Sequence, residues 1–211
     1  ASLSLRLAMI APRLKAATIG WQHNCYDGYL HVKPVVFWQQ ENLLQQYLPN
    51  LDRYIVLSDY DKRDYMEKLG IDCEVKINPR SFVSEKKCDV KSKRFLMATR
   101  FVYAKGLDLM MESFEEFCKE DSEWELDIIG DGDLFDQIRA DAKKRHLEKR
   151  VHFVGYTNEP EKYYLNSSVF LLPSRWEGWP MVIMEAFEFG LPVIAYHMGA
   201  MDLIIDDGKT G

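Results

Sequence analysis

The sequence has no CxxC pair among its four cysteines, no apolar run long enough to cross a membrane and no excess of basic charge. Cys25, Cys73, Cys88 and Cys118 are scattered without regular spacing. That pattern argues against a disulfide framework or a zinc site and reads as buried thiols in a reducing compartment. A membrane-spanning helix needs about 18 consecutive apolar residues, and none is present. The opening ASLSLRLAMIAPRLKAA is interrupted by Arg6, Arg13 and Lys15, so it reads as an amphipathic helix rather than a signal peptide. Against 33 Asp+Glu stand 27 Lys+Arg, a net charge of −6, which speaks against a nucleic-acid partner. No Asp/His cluster with ligand spacing occurs, and the one DxD in a loop is Asp131-Gly132-Asp133; no metal is expected. With 47% apolar and 28% charged residues, the chain is also neither disordered nor fibrous.

What is present is alternation. The 211 residues suit one large domain or two smaller ones. Short apolar runs predict strands at 17–21, 53–58, 73–77, 94–99, 124–129, 150–154, 168–172 and 192–195. Helical periods lie between most of them. Leu107, Met110, Met111, Phe114 and Phe117 make an apolar stripe over 106–119. Ser58 and Gly70 are good caps for a helix over 59–69. Strand–helix alternation predicts an α/β fold with parallel sheets and crossover helices. The stretch PRSFVSEKKCDVKSK has no sustained apolar period and reads as a linker. The expected domains are therefore 1–79, which looks like part of a domain, a linker at 80–93, and a second domain at 94–211 with its own core. The absence of an initiator Met and the turn-like ending DDGKTG lead us to expect a piece of a longer chain.

In open α/β sheets ligands bind outside the carboxyl ends of the strands, so the residues that follow each strand are the informative ones. After the strand at 94–99, Arg100 and Lys105 bracket a loop that runs into a helix. A guanidinium, an ammonium and a helix N-terminus suit a diphosphate, though two ordinary surface cations would look the same. The surrounding segment from Arg80 to Met110 holds eight Lys/Arg against three Asp/Glu, a net of +5, whereas Glu112 to Ala140 carries a net of −9 and reads as solvated helix faces. After 124–129, Gly130-Asp131-Gly132 begins like a dinucleotide fingerprint, but Phe135 occupies the third glycine position, so a tight turn is the better reading. Gly155 is similarly ambiguous. After 168–172 comes PSRWEGWPMVIMEAFEFGLPVIA. There Pro180 fits a first helical turn, the backbone of Gly178, Trp179, Pro180 and Met181 can cradle an anion, and Glu177 and Glu185 can accept hydrogen bonds from sugar or ribose hydroxyls. Glu185 sits among Val182, Ile183, Met184, Ala186 and Phe187, and a carboxylate that close to a core needs partners.

The Glu–seven–Glu spacing in EGWPMVIMEAFEFGLPVIA resembles the signature of retaining glycosyltransferases of family 4, which have the GT-B fold of two Rossmann-like domains. RFVYAKGLD resembles that family's diphosphate loop, GDGDLFDQI its next strand–turn–helix, and VHFVGYTN the segment bordering the nucleotide base. The resemblance implies that Arg100 and Lys105 bind the donor diphosphate and that Glu177, with Gly178, Trp179, Pro180 and Met181, meets the donor sugar. It implies that Glu185 holds the ribose and that Gly155 and Tyr156 lie near the base. TIGWQHNCY resembles the acceptor-side segment that carries a His near the reacting sugar, which makes His23 the candidate. Thr99 stands where the family usually has glycine. The family's Gly-rich acceptor-side loop and its C-terminal crossing helix find no counterpart, so the acceptor-side domain is expected to be incomplete.

The expected activity is then metal-independent transfer, with retention, from a nucleoside-diphosphate sugar, a UDP-sugar by analogy, to a glycan or lipid-linked acceptor. That suits polysaccharide, lipopolysaccharide or capsule synthesis. The donor is a substrate, no cofactor is expected, and the setting is cytoplasmic, with peripheral contact at the inner membrane face if the acceptor is lipid-linked. The rival readings are a non-catalytic sugar-nucleotide-binding remnant, a sugar-nucleotide epimerase or phosphorylase of the same architecture, and an NAD-dependent oxidoreductase, which Phe135 disfavours.

Overall fold

A computed structural model describes residues 2–31 and 40–211. The chain divides into two units. The first comprises Ala1–Pro79 with Trp176–Trp179 and Met198–Ala200; the second comprises Arg80–Arg175 with Pro180–His197 and Met201–Gly211.

In the first unit the order is α1 (Ser2–Ile10), β1 (Ile19–Trp21), α2 (Tyr26–Leu30), α3 (Glu41–Tyr47), β2 (Arg53–Val56), α4 (Asp59–Leu69) and β3 (Glu74–Val75). The strands form a parallel sheet in the order β1-β2-β3, with Ile19 opposite Arg53 and Ile55 opposite Glu74. Helix α4 shows why the local sequence folds as it does. The Ser58 Oγ accepts from the Asp61 N–H at 3.1 Å, satisfying one of the donors left open at a helix start. At the other end Gly70 takes φ +69° and its N–H reaches the Met66 carbonyl, an αL cap. Tyr65 and Leu69, one turn apart, face inward with Tyr26, Leu30, Leu44, Tyr54 and Val56. Tyr65 meets Tyr26 edge to face at 5.1 Å, and its hydroxyl lies 3.3 Å from that of Tyr54. The opening helix also forms as the sequence suggests, burying Leu5 and Ala8 while Leu3 stays exposed.

The second unit runs β4 (Arg94–Ala98), α5 (Leu107–Glu120), β5 (Glu125–Ile129), α6 (Phe135–Lys144), β6 (Val151–Gly155), α7 (Glu161–Leu165), β7 (Val169–Leu172), α8 (Met181–Glu188) and β8 (Val193–Ala195). Its sheet is wholly parallel, in the order β6-β5-β4-β7-β8. The chain therefore works outward from β4 in one direction, then returns to β7 and works outward in the other. Right-handed crossovers put α5 and α6 on one face and α7 and α8 on the opposite one. On the first face Leu107, Met111 and Phe114 of the expected stripe are buried with Ile138, Leu126 and Ile128. On the second, Tyr164 stacks on Phe170 at 5.8 Å and on Phe189 at 5.2 Å. Asp127, buried within β5, is held by Arg94 at 2.9 and 3.1 Å, the pairing a charge in that position requires.

Residues 80–93, which composition marks as a linker, form no helix or strand, yet they are fastened to the second unit. The Cys88 N–H bonds to the Phe189 carbonyl, the Asp89 N–H to the Leu165 carbonyl, and Arg80 pairs with Glu188 at 2.7 Å. A polar, aperiodic stretch has no core-facing stripe of its own, so its backbone and charges take their partners from α7 and α8. The cysteines are all unpaired, but only Cys73 is fully buried; Cys25, Cys88 and Cys118 are half-buried. Burial pushes the Cys25 and Cys73 thiols up to about 12, which keeps them protonated and unreactive.

Candidate functional site at the switch point of the second sheet

Between β4 and β7 the direction of the chain through the sheet reverses, and the two strands pair directly, Phe95 opposite Val169 and Leu96 opposite Phe170. Ligands of open α/β sheets bind at such a point, outside the carboxyl ends. The loop leaving β4 carries Arg100, which is exposed, and Lys105, which is half-buried at the end of the 3₁₀ turn Tyr103–Lys105. This loop is anchored from below. Phe101 is fully buried, its N–H bonds to the Asp131 carbonyl at 2.9 Å, and its carbonyl accepts from Leu134 at 3.0 Å. The GxG turn explains itself here. Gly130 has φ +120°, and a Cβ on it would lie 1.8 Å from the Thr99 carbonyl oxygen, so the glycine serves a close backbone approach between neighbouring loops. Phe135, half-buried, packs on Phe101 at 4.9 Å and against the core.

A residue that sequence reasoning missed joins this loop to the one after β7. The Arg175 guanidinium makes two parallel bonds to Asp108, at 2.8 and 2.6 Å, and donates to the Tyr103 carbonyl at 2.9 Å. It lies 4.0 Å over the Tyr103 ring, and the Arg175 N–H bonds to the Ala104 carbonyl at 2.7 Å. The Arg175 hydrogen bond holds the Asp108 carboxyl below its ordinary range. Beside it Gly106, at φ +64°, presses so closely on Pro173 that a Cβ would meet the proline carbonyl oxygen at 1.9 Å. The only trace of this in the sequence was an arginine in a strand-end loop and an aspartate in a first helical turn.

Glu185 lies half-buried in α8, and its expected partners are present. Tyr164 donates to its Oε2 at 2.9 Å and Ser81 to its Oε1 at 3.2 Å. It forms part of the wall of a cavity of about 730 Å³, together with Phe82, Asn158, Pro160, Tyr164 and Phe189, a size that admits a small ligand. Arg100, Lys105, Gly155 and Tyr156 are not among the residues lining it. Gly155 ends β6 at φ +79°, and Tyr156 is 77% exposed. Pro180 is not in the first turn but caps α8 in an extended conformation, with Met181 as the first helical residue.

Trp176–Trp179 groups with the first unit, where the loop after β1 meets it. A Cβ on Gly178 would lie 2.5 Å from the His23 carbonyl oxygen, and one on Gly28 would lie 2.3 Å from the Trp176 ring. Two segments about 150 residues apart, each singled out in the sequence, are thus brought together. Glu177 is 9% exposed. His23 is exposed and stacks on Trp21 at 5.2 Å. The Trp179 indole Nε1 is buried without a hydrogen-bond partner among the described residues.

Residues 81–211 match the family described as glycosyl transferases group 1. The chain belongs to that family. This group 1 glycosyltransferase chain is 30% identical over 148 residues to an uncharacterized glycosyltransferase of Haemophilus influenzae, covering 69% of this chain and 42% of the relative. It is 34% identical over 120 residues to the amylovoran biosynthesis glycosyltransferase AmsD of Erwinia amylovora, covering 56% of this chain and 34% of that protein. The chain therefore spans less than half the length of these relatives. Among solved structures, a mutant of S. aureus TarM in complex with fondaparinux, α-GlcNAc-glycerol and UDP matches with a TM-score of 0.80 at 23% identity, covering 91% of this chain and 39% of that one. That likeness is one of fold, the GT-B fold.

Proposed function

We propose that the protein containing this chain is a family 4 enzyme. It moves a sugar, with retention and without a metal ion, from a nucleoside-diphosphate sugar to a glycan or lipid-linked acceptor. The observation that carries this reading is the switch point itself: a loop bearing Arg100 and Lys105 leaves β4 directly beside the strand whose loop leads to the Glu177–Glu185 segment. A donor lying along the carboxyl edge of the sheet spans from the α5 side to the α8 side. Its ribose hydroxyls bond to Glu185 at the cavity wall, its base borders Gly155, Tyr156 and Asn158, and its diphosphate lies against Arg100 and Lys105.

The difficult step is cleavage of the bond between the anomeric carbon and the diphosphate oxygen. Negative charge grows on the leaving diphosphate and positive charge on the sugar ring. Two cations and the helix N-terminus beyond Lys105 offset the first, and fixed donors of this kind are worth most where they need not reorganise. Glu177 and the backbone of Gly178, Trp179, Pro180 and Met181 meet the donor sugar, and His23 is the acceptor-side candidate. The acceptor hydroxyl oxygen forms the new bond to the anomeric carbon, its proton leaves with the departing diphosphate, and no residue is assigned as a covalent nucleophile. UDP in the TarM complex supports a uridine donor, and the amylovoran biosynthesis named for AmsD supports a glycan acceptor. Among the described residues no helix is long and apolar enough to cross a membrane; a lipid-linked acceptor would be met from the cytoplasmic face.

The test is Glu177→Ala in the full-length enzyme, assayed by sugar transfer from a panel of nucleotide sugars. A drop of at least about tenfold, equal to about 1.4 kcal/mol of transition-state stabilisation, is expected. Unchanged turnover in a folded variant refutes the role of Glu177, and no transfer or binding with any nucleotide sugar refutes the reading as a whole.

A further inference from the structure

Arg175 has no assigned part in the chemistry, yet it is fastened at several points to the loop after β4. Its fork closes on Asp108 at 2.8 and 2.6 Å, one guanidinium nitrogen reaches the Tyr103 carbonyl at 2.9 Å, the planar group covers the Tyr103 ring at 4.0 Å, and the Arg175 N–H takes the Ala104 carbonyl at 2.7 Å. These partners flank Lys105 on both sides in sequence. Gly106 completes the attachment, since its αL backbone lies directly on Pro173, two residues before Arg175. Loops of five to ten residues ordinarily sample many conformations; this one is tied at both ends of its 3₁₀ turn to the loop across the switch point.

We infer that Arg175 is a positioning residue that holds the Arg100–Lys105 loop in the shape that binds a diphosphate, an inference that rests on the donor reading above. Arg175 does not itself contact the ligand. Its guanidinium is occupied by Asp108 and the Tyr103 carbonyl, and its role is to fix where the Lys105 ammonium and the neighbouring backbone N–H groups stand. A lysine cannot replace it, because an ammonium has neither the planar face for Tyr103 nor the fork for Asp108.

The experiment measures, by calorimetry on the full-length protein, binding of the best-bound of UDP, GDP and ADP and of its parent nucleoside. The variants are Arg175→Ala, Arg175→Lys, Asp108→Asn and, as a control, Arg100→Ala. Positioning predicts that the first three each weaken diphosphate binding about tenfold or more, as misplacing a binding group does, while nucleoside affinity stays as in the wild type. Asp108→Asn separates the mechanisms by sign. It removes a negative charge near the site, so a purely electrostatic influence tightens diphosphate binding, whereas loss of positioning weakens it. If Arg175→Ala does not fold, Arg175→Lys and Asp108→Asn carry the test. Wild-type diphosphate affinity in folded Arg175 and Asp108 variants, alongside a weakened Arg100→Ala, overturns the positioning role and leaves the donor site standing. Unchanged affinity in Arg100→Ala as well, or no nucleoside diphosphate bound by the wild type, overturns the donor site and with it this inference.

Discussion

The Tyr164 hydroxyl donates a 2.9 Å hydrogen bond to Oε2 of Glu185. Tyr164 is itself buried between Phe170 and Phe189, and burial pushes its phenol well above the ordinary tyrosine range, so it stays a donor at any pH of interest. The ring is fixed by stacking, and through it one carboxylate oxygen of a half-exposed glutamate is fixed as well. Tyr164→Phe keeps the stack and removes the bond. We expect a loss of about 1 kcal/mol of stability by urea denaturation, and about fivefold weaker nucleoside binding if Glu185 is the ribose ligand. A stability change with no change in binding would leave Tyr164 a packing residue.

Glu185 and Arg100 are expected to act on different parts of the same ligand. Glu185→Ala should weaken a nucleoside and its diphosphate by the same factor, roughly tenfold for a hydrogen-bonded carboxylate. Arg100→Ala should spare the nucleoside and weaken only the diphosphate. Calorimetry with the two ligands side by side checks this; equal sensitivity to both ligands in Arg100→Ala would count against the division.

Two glycines with nearly the same backbone angle should respond very differently to alanine. Gly70 has φ +69° with open space around it, and Gly106 has φ +64° with Pro173 at its back. Gly70→Ala carries only the left-handed backbone cost, about 1–2 kcal/mol. Gly106→Ala adds a backbone collision and should cost more than about 3 kcal/mol or prevent folding. Thermal melts of the two variants provide the comparison, and equal melting points would contradict the close packing of the two loops.

The pair formed by Arg175 and Asp108 should also respond to acid. Arg175 depresses the carboxyl of Asp108 below its ordinary value. A depressed carboxyl contributes stability that is complete above its unfolded-state value and is lost as pH falls through the lower, folded-state value. As pH falls below about 5 and through the lowered folded-state value, wild-type stability should therefore fall more steeply than that of Asp108→Asn, with the two curves parallel at higher pH. Urea midpoints at stepped pH values measure it, and parallel curves throughout would show that the pair contributes nothing.

Much of the fold was legible because it depends on local signals. All eight expected strands are present within a few residues. The cap residues of α4 work as their side chains dictate, and the stripe of α5 faces the core. Pro180 was placed one residue too deep because a proline suits both the last extended residue and the first helical one. The 80–93 segment was legible only as aperiodic; that its polar groups bind α7 and α8 depends on partners some hundred residues away.

The amino-acid sequence by itself determined the α/β alternation, the acidic and basic residues at the strand ends, and the membership of this chain in its family. Those are matters of residue type and spacing, which a linear chain already contains. The tertiary structure alone decided that Tyr164 and Ser81 would hold Glu185, and that glycines suited to a phosphate turn would instead admit a neighbouring backbone. It also decided that Arg175 would reach back to Asp108. Each depends on parallel strands distant in sequence lying side by side, and no local periodicity encodes which side chains that pairing brings within hydrogen-bonding distance.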